Sequence, residues 1–226
     1  MRWQVLAVGF VACSNDAPDK PPDPATCLVE PAPGTGEATY YDADGSGNCS
    51  FDPSSDLMVA AINGVDYDNA KWCGGCVEVT GPDGEVTVRI VDQCPGCERG
   101  DLDLSREAFA KIAPLSAGRV PITWRAVACP VQGTLGYQFK DGSNPFWTAI
   151  QIRNHRYPIA SVEVRDEAGA FQPLARASYN FFIEEGLGEG PYLIRVTDTR
   201  GHSVEDMIAL GDDVERKGAT QFPTCP

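Results

Sequence analysis

The chain is short of basic residues and of long apolar stretches. It has 18 lysines and arginines against 32 aspartates and glutamates, which gives a formal net charge of −14 at pH 7. An acidic surface repels phosphate backbones and acidic polymers, so we expect no nucleic-acid partner and little adhesion to pectin or peptidoglycan. After the N-terminus, no segment approaches the ~20 apolar residues of a membrane helix. The charge does not disfavour a neutral polymer as a partner.

Histidine is also scarce, which limits the metal sites that the cysteines could form. Nine cysteines among 226 residues is a density typical of oxidising compartments, where disulfides persist. The two histidines, His155 and His202, are far in sequence from the CxxC pairs at 73–76 and 94–97. Spacing alone still allows a zinc site built from those two pairs. We expect disulfides instead, with no metal and no cofactor.

The N-terminus has the composition of an export segment. Residues 1–13 carry one positive charge and a short apolar run, which ends at Cys13 after the small Ala12. This is similar to a bacterial lipoprotein signal. Cys13 is therefore a lipidation candidate, and the alternative is a thiol within a cleaved signal. We expect a secreted protein, or one anchored by lipid at the outer cell surface, whose only membrane contact would be that lipid.

Residues 14–36 are rich in proline, aspartate and alanine, which predicts an extended tether. Cys27 within it and Cys225 near the other end of the chain are both isolated from the remaining cysteines. We expect these two cysteines to pair and so to tie the start of the folded body to its tail.

The rest of the chain predicts two successive all-β bodies. Residues 37–130 contain short alternating or apolar runs separated by turn sequences such as DGSGN and GPDGE. Within them, SREAFAKIAPL predicts one short helix, capped by Ser105 and ended by Pro114. Residues 131–226 contain about seven more short strands at regular spacing, which is typical of a β-sandwich.

Two carboxylates stand where chemistry could occur. Asp92 ends the apolar run VRIVD, and Asp103 lies in GDLDLS just before the predicted helix. Such a pair could flank a sugar and act as acid and base. The alternative is structural: Asp103 would cap the helix together with Ser105, and Asp92 would support a turn.

Aromatic residues suggest a second site. Trp147 follows Phe146, and Tyr179 comes later in the same half of the chain. Adjacent residues of a strand point to opposite faces, so Phe146 and Trp147 cannot both be core residues of a regular strand. Exposed aromatic faces pack well against sugar rings. The alternative is that these rings belong to the sandwich core.

Several motifs between residues 36 and 226 together resemble the expansin family, and in particular its bacterial expansin-like members. They occur in the family's order and spacing: ATYY at 38–41, CGGC at 73–76, VEVTGPDGEVTVRIVDQCP at 77–95, LDLSREAFAKI at 102–112, VPITWRAVACP at 120–130, FWTAIQIRNHRYPI at 146–159, YNFF at 179–182 and VTDTRG at 196–201. The resemblance covers nearly the whole chain after the tether.

This resemblance implies a six-stranded double-psi β-barrel followed by an immunoglobulin-like β-sandwich that binds carbohydrate. It implies a groove across the barrel and an aromatic platform on the sandwich. The groove residues would be Thr39, Tyr41, Asp92 and Asp103, and the platform residues Phe146, Trp147 and Tyr179, with Lys140 beside them. Two positions depart from the bacterial pattern: Phe146 stands where tryptophan is usual, and Cys94 stands near a usual tyrosine, as in plant expansins.

The resemblance also implies three disulfides, Cys49–Cys73, Cys76–Cys129 and Cys94–Cys97. It further implies a groove that keeps the acid of related glycosidases, at Asp103, but lacks a catalytic base, for which only Asp92 and Asp101 stand near in sequence. We therefore expect a monomer that binds cellulose or another neutral β-glucan and loosens cell walls without cleaving the glucan. The alternatives are an active glycosidase or lytic transglycosylase on the same barrel, or a cellulose adhesin that uses the second domain alone.

Overall fold

The computed structural model of the protein describes residues 33–225. Six strands near its start form a closed barrel in the order β1-β5-β2-β4-β3-β6. They are β1 (Gly34–Tyr41), β2 (Val59–Asn63), β3 (Cys76–Thr80), β4 (Glu85–Cys94), β5 (Leu102–Ser105) and β6 (Val120–Val127). The pairs β1/β5 and β2/β4 are parallel, and the remaining pairs are antiparallel. The predicted double-psi barrel is thereby confirmed.

The barrel begins earlier than the sequence predicted. Strand β1 starts at Gly34 and pairs with β6, so residues 34–36 belong to the barrel and not to the predicted tether at 14–36. Both glycines there are required by packing. A Cβ on Gly34 would lie 2.1 Å from the Trp124 ring, and one on Gly36 would lie 2.5 Å from the Gly100 carbonyl carbon. The two glycines therefore allow Trp124 and Gly100 to pack closely against β1, and they do not indicate an extended linker.

Alternation along the strands fills the barrel interior. Residues such as Ala38, Ile62 and Leu104 are fully buried in one cluster. Helix α2 (Arg106–Ile112) packs Phe109 and Ile112 into the same cluster. The Ser105 hydroxyl accepts the Ala108 N–H at 3.0 Å, so the predicted helix and its cap are confirmed. A one-turn helix α1 (Gly64–Tyr67) and a 3₁₀ turn (Leu115–Ala117) are additional.

The second body is a sandwich of two sheets. One sheet has the order β10-β9-β13-β14 and the other β11-β12-β8-β7-β15. Their strands are β7 (Gly136–Phe139), β8 (Trp147–Arg153), β9 (Ile159–Arg165), β10 (Phe171–Pro173), β11 (Ala175–Arg176), β12 (Phe182–Glu185), β13 (Tyr192–Asp198), β14 (Ser203–Ile208) and β15 (Glu215–Lys217). Nine strands replace the predicted seven or so. Residues 171–176 form two short strands, divided at the buried Leu174 between the two sheets, and the short β15 lacked a clear sequence signal.

Three disulfides occur among the described residues, and they join the pairs that the resemblance implied: Cys49–Cys73, Cys76–Cys129 and Cys94–Cys97. The zinc alternative is wrong, because both CxxC pairs are consumed by these bonds. Cys13 and Cys27 lie outside the described residues, so lipidation and the Cys27–Cys225 bond stay predictions. In the part from 33 to 225, no helix has the length and apolarity to cross a membrane.

Candidate functional site

A row of four residues crosses four strands on the outer side of the barrel. Thr39 on β1 pairs with Asp103 on β5, Asp103 with Ala61 on β2, and Ala61 with Asp92 on β4. Lateral neighbours in a sheet point to the same face, and strands are ~4.8 Å apart, so the two aspartate Cα atoms are roughly 10 Å apart. The structure thus brings together three of the predicted groove residues, with a methyl group between the two carboxylates.

A β-bulge places Asp92 in that row. Ala60 pairs with Ile90, but Ala61 pairs with Asp92, so Val91 is the extra residue. Both Ile90 and Val91 are buried, and the bulge shifts the alternation that follows by one residue. Strand β4 continues to Cys94. Asp92 therefore does not end the strand, as the sequence suggested, but lies within it just after the irregularity.

Asp103 is held in a partly buried position by its neighbour. The Thr39 hydroxyl donates to Asp103 Oδ1 at 2.6 Å. Burial raises the pKa of the Asp103 carboxyl above its usual value, and the nearby Asp92 charge acts in the same direction, while the Thr39 hydrogen bond opposes the shift. Asp103 does not cap the helix, since Ser105 does. A carboxyl with this environment is suited to donating a proton or a hydrogen bond.

Tyr41 lies two residues beyond Thr39 on the same strand. Its hydroxyl is buried and has no hydrogen-bond partner within residues 33–225. Burial, and after it the charges of Asp92 and Asp103, raise the pKa of this phenol well above its usual value. Tyr41 therefore stays neutral and keeps its hydroxyl hydrogen.

The two other carboxylates near Asp103 are occupied by backbone N–H groups. Asp92 Oδ1 accepts from Asn48 N at 2.6 Å and from Gln93 N at 2.8 Å. Asp101 Oδ1 accepts from Glu37 N at 2.8 Å, and its Oδ2 accepts from Glu98 N at 3.1 Å. Both side chains organise loops of the barrel. Asp101 uses both of its oxygens in these bonds, whereas Asp92 uses Oδ1 for both.

Thr39, at one end of the row, also lines a cleft of about 760 Å³ beside the Cys94–Cys97 disulfide. Its lining is mostly polar and charged: Thr35, Gly36, Glu37, Thr39, Cys94, Gly96, Cys97, Glu98, Arg99, Asp101 and Arg119. Arg119 Nη1 donates to Glu37 Oε2 at 2.7 Å across its rim. Three acids and two arginines line the cleft, so its polar groups suit a ligand rich in hydroxyls.

The predicted platform lies on the outer face of the five-stranded sheet. Along β8, Ile150 and Ile152 enter the sandwich core, so Trp147 points to the opposite face. Lys140 N donates to Ala149 O, directly after the core residue Phe139, so Lys140 shares the face of Trp147. Trp147 is half-buried, which keeps its ring supported while one side is accessible.

Phe146 is held in the turn before β8 and is 82% exposed. The Asn144 side chain fixes this turn, since its Oδ1 accepts from Phe146 N at 2.9 Å. Gly186 N donates to Phe146 O at 2.9 Å and ties the turn to the strand beyond. A phenyl ring exposed to this degree on an ordered turn is available for contact, and it is no core residue.

Tyr179, the third aromatic residue of the predicted platform, is supported by Phe181, a residue that sequence reasoning missed. The Tyr179 and Phe181 rings are 5.8 Å apart, and Lys140 Nζ is 5.8 Å from the centre of the same Phe181 ring. Phe181 is buried and lies just before the core residue Phe182, so it supports Tyr179 from below. The two consecutive phenylalanines in YNFF were the available signal. Because neighbouring residues of a strand face opposite sides, one of the two rings must lie outside the sandwich core.

The groove and the platform approach each other at residue 178. Ser178 O accepts from the Asn48 side chain and from the Tyr67 hydroxyl, both in the barrel, and Asn48 N also binds Asp92. Ala61 and Arg119 are site residues that sequence reasoning missed, and it also missed Asn48, which lies between the two surfaces and supports them. Ala61 carries no polar signal, and the other two are placed only through contacts distant in sequence.

Comparisons with known proteins agree with this architecture. Residues 34–124 match a protein-family model described as lytic transglycolase. The chain is 40% identical to Expansin-YoaJ of Bacillus subtilis over 76% of this chain and 77% of that protein. It is 31% identical to Expansin-like protein 1 of Dictyostelium discoideum over 74% of this chain and 63% of that protein.

Solved structures show the same fold over most of the length. A mutant of Clavibacter michiganensis expansin in complex with cellohexaose matches with a TM-score of 0.79 and 33% identity, covering 84% of this chain and 98% of that one. Its ligand-free form matches with a TM-score of 0.78. The likeness extends across both the barrel and the sandwich. The chain belongs to the expansin family.

Proposed function

We propose that this protein binds cellulose or a related neutral β-glucan and loosens cell-wall contacts without hydrolysis. The observation that carries the proposal is the meeting of two surfaces. The polar row on the barrel and the aromatic face of the sandwich are joined at Ser178. One glucan chain could lie in the groove while a neighbouring chain or fibre contacts the rings, and binding to both would favour sliding of the chains.

The chemistry of the two surfaces supports a neutral glucan. Trp147 and Phe146 offer apolar ring faces, which suit the C–H faces of sugars. Thr39 and Asp103 offer donors and acceptors for hydroxyl groups. The net charge of −14 disfavours acidic polymers. The Clavibacter relative was crystallised in complex with cellohexaose, and we extend that ligand class to this chain.

The arrangement of carboxylates supports a non-hydrolytic role. Inverting hydrolysis requires an acid, and a base that activates water from the opposite side of the sugar. Asp103 suits the acid by its raised pKa. Asp92 and Asp101 are both engaged by backbone N–H groups. Binding a glucan without cleaving it requires Asp103 only as a hydrogen-bonding group, and no catalytic base is needed.

Two measurements on the same samples test this proposal. Purified protein is incubated with cellulose and with cell wall under tension, and reducing ends and creep are followed together. We expect adsorption and creep without reducing ends. Reducing ends that disappear in Asp103→Asn would overturn the non-hydrolytic proposal, whereas creep that survives Asp103→Asn but not Trp147→Ala would favour an adhesin.

Replacing Trp147 should have a large effect on adsorption. A central aromatic anchor contributes about 2 kcal/mol or more to binding, so Trp147→Ala should weaken adsorption to cellulose roughly thirtyfold. Phe171→Ala is the matched control. Phe171 is a half-buried ring on the other sheet, under the Arg195 guanidinium, and its loss should leave adsorption unchanged. Equal losses in the two variants would contradict the assignment of the platform.

A lytic transglycosylase is the second candidate, favoured by the family model that matches residues 34–124. In that reaction one carboxyl suffices. Asp103 would protonate the glycosidic oxygen as the C–O bond breaks, and would then accept the proton of the substrate's own hydroxyl as it closes an anhydro ring. Isolated peptidoglycan incubated with the protein would then release anhydro sugars, which a purely binding protein would not produce.

Secretion, the lipid at Cys13 and the monomeric state belong to the same proposal. Expansin relatives and the six cysteines paired in disulfides support action outside the cell, in an oxidising environment. Mass spectrometry of the mature N-terminus decides whether Cys13 carries lipid.

A further inference from the structure

Residues 47–50 of the barrel lie directly against the groove. Asn48 N donates to Asp92 Oδ1 at 2.6 Å. A Cβ on Gly47, whose φ is +155°, would lie 2.4 Å from Asp92 Cγ. This close packing means that the position of Asp92 and the position of the segment are set together.

The side chain of Asn48 points away from the groove and toward the sandwich. Its Nδ2 donates to Tyr67 Oη at 2.8 Å and to Ser178 O at 3.2 Å. The Tyr67 hydroxyl donates to the same Ser178 oxygen at 2.7 Å. Ser178 immediately precedes Tyr179, so these three hydrogen bonds, together with the bond from Asn48 N to Asp92, connect the carboxylate of the groove with the backbone of the platform.

The neighbouring residue strengthens this connection. Cys49 O accepts from Gln151 Nε2 at 2.8 Å and from Asn180 Nδ2 at 3.2 Å, and both donors belong to the sandwich and are buried. The Cys49–Cys73 disulfide holds the segment to the barrel. Buried hydrogen bonds of this kind favour one fixed arrangement, because breaking one leaves a polar group unpaired.

We propose that Asn48 is a positioning residue that keeps the barrel groove and the platform aligned, so that one glucan assembly engages both surfaces at once. The inference rests on the proposed function. Linking two binding surfaces rigidly raises the effective concentration of the second once the first is occupied. Asn48 acts through Asp92 on one side and Ser178 on the other, and it need not touch the glucan.

The side chain and the backbone of Asn48 can be separated by mutation. Asn48→Ala keeps the backbone N–H that binds Asp92 but removes the amide that reaches Tyr67 and Ser178. The groove should then bind a short ligand as before. Losing about 1 kcal/mol of net hydrogen bonding between the surfaces should weaken adsorption to cellulose about fivefold.

The test compares two ligands of different length. Cellotriose occupies one surface, and microcrystalline cellulose can engage both. We expect Asn48→Ala to weaken adsorption to cellulose about fivefold and to change the affinity for cellotriose less than about twofold. Tyr67→Phe, which removes the hydroxyl that donates to Ser178, should act in the same direction and serves if Asn48→Ala folds poorly. Equal changes for the two ligands, or no change for either, would overturn the inference.

A control distinguishes positioning from general weakening of the domain contact. Asn69 Nδ2 donates to Arg176 O at 3.1 Å, another bond between barrel and sandwich. Asn69→Gly removes it, and glycine accepts the positive φ of +54° at this position. Adsorption to cellulose should stay unchanged in this variant. An unsubstituted protein that fails to adsorb to cellulose would defeat the proposed function and this inference together, whereas adsorption without selective loss in Asn48→Ala defeats only the inference.

Discussion

The barrel groove and the sandwich platform use different means to place their side chains. In the groove, Thr39, Asp103 and Asp92 come from three strands, and a β-bulge is needed to bring Asp92 into the row. On the platform, the alternation of one strand directs Trp147 away from the sandwich core, which the other face of that strand fills. The groove therefore depends on long-range register, whereas the platform depends on local pleating and on support from below.

The two regions also differ in how they are stabilised. The three disulfides among residues 33–225 all join cysteines between 49 and 129. The sandwich is instead held by a core that includes Tyr137, Phe139 and Phe182. The comparison teaches that the polar site, which tolerates little displacement, lies in the covalently constrained region.

Removing one disulfide is the strongest way to test that contrast. The Cys49–Cys73 bond closes a loop with a sequence separation of 24, and its loss should cost about 3–4 kcal/mol of unfolding free energy. In the Cys49→Ala and Cys73→Ala double variant, we expect barrel unfolding to shift to lower temperature and the affinity for cellotriose to fall. The sandwich transition should stay in place.

Scanning calorimetry on the double variant checks this expectation. The Cys94→Ser and Cys97→Ser pair is the control, since its bond spans a separation of only 3 and its loss should cost about 2 kcal/mol or less. A single transition that shifts as a whole would contradict separate stabilisation of the two regions.

The same contrast explains what the sequence could predict. Local signals were sufficient for the helix after Ser105 and for the expectation that Phe146 and Trp147 are not both core residues. The groove residues Asp92 and Asp103 came mainly from the resemblance, because spacing alone left structural roles open, a helix cap for Asp103 and a turn for Asp92. No local pattern could reveal that Ala61 lies between them, since its place depends on pairing with β4 and β5 at once.

The predicted boundary between tether and barrel was wrong at two glycines. Gly34 and Gly36 fell within the predicted tether, yet in the structure they allow Trp124 and Gly100 to approach β1. The bulge at Val91 could not be predicted from the sequence either. An apolar run such as VRIV does not show where its alternation changes, because both Ile90 and Val91 are buried.

Enlarging the residue at position 61 should disturb the groove and leave the platform intact. Ala61 lies between Asp92 and Asp103 in the row, and its small side chain is buried. Ala61→Leu should weaken cellotriose binding about tenfold, or ~1.4 kcal/mol, because a larger side chain there displaces the two carboxylates. Ala61→Ser, which stays small, is the control. Equal weakening in both variants would show that the size of the side chain at position 61 does not matter.

The smallest expected effect concerns Asp103 and pH. Because burial raises the pKa of its carboxyl, the folded state keeps a proton that the unfolded chain has already released. This stabilisation is complete below the unfolded pKa and is lost as pH rises through the folded one. Asp103→Asn cannot ionise, so at neutral pH its Tm should exceed that of the unsubstituted protein by about one to two degrees, and the difference should vanish in acid.

Asp42 provides the opposite case on the same barrel. Its pKa is lowered by a hydrogen bond and an ion pair with Arg106, so its contribution to stability is present above the unfolded pKa and is lost as pH falls. Asp42→Asn should therefore lower Tm at neutral pH, with the difference again vanishing in acid. Melting curves of both variants across pH 3–8 measure the two signs directly. Shifts of the same sign would mean that burial does not control Asp103, and that the groove carboxylate is as freely solvated as a surface one.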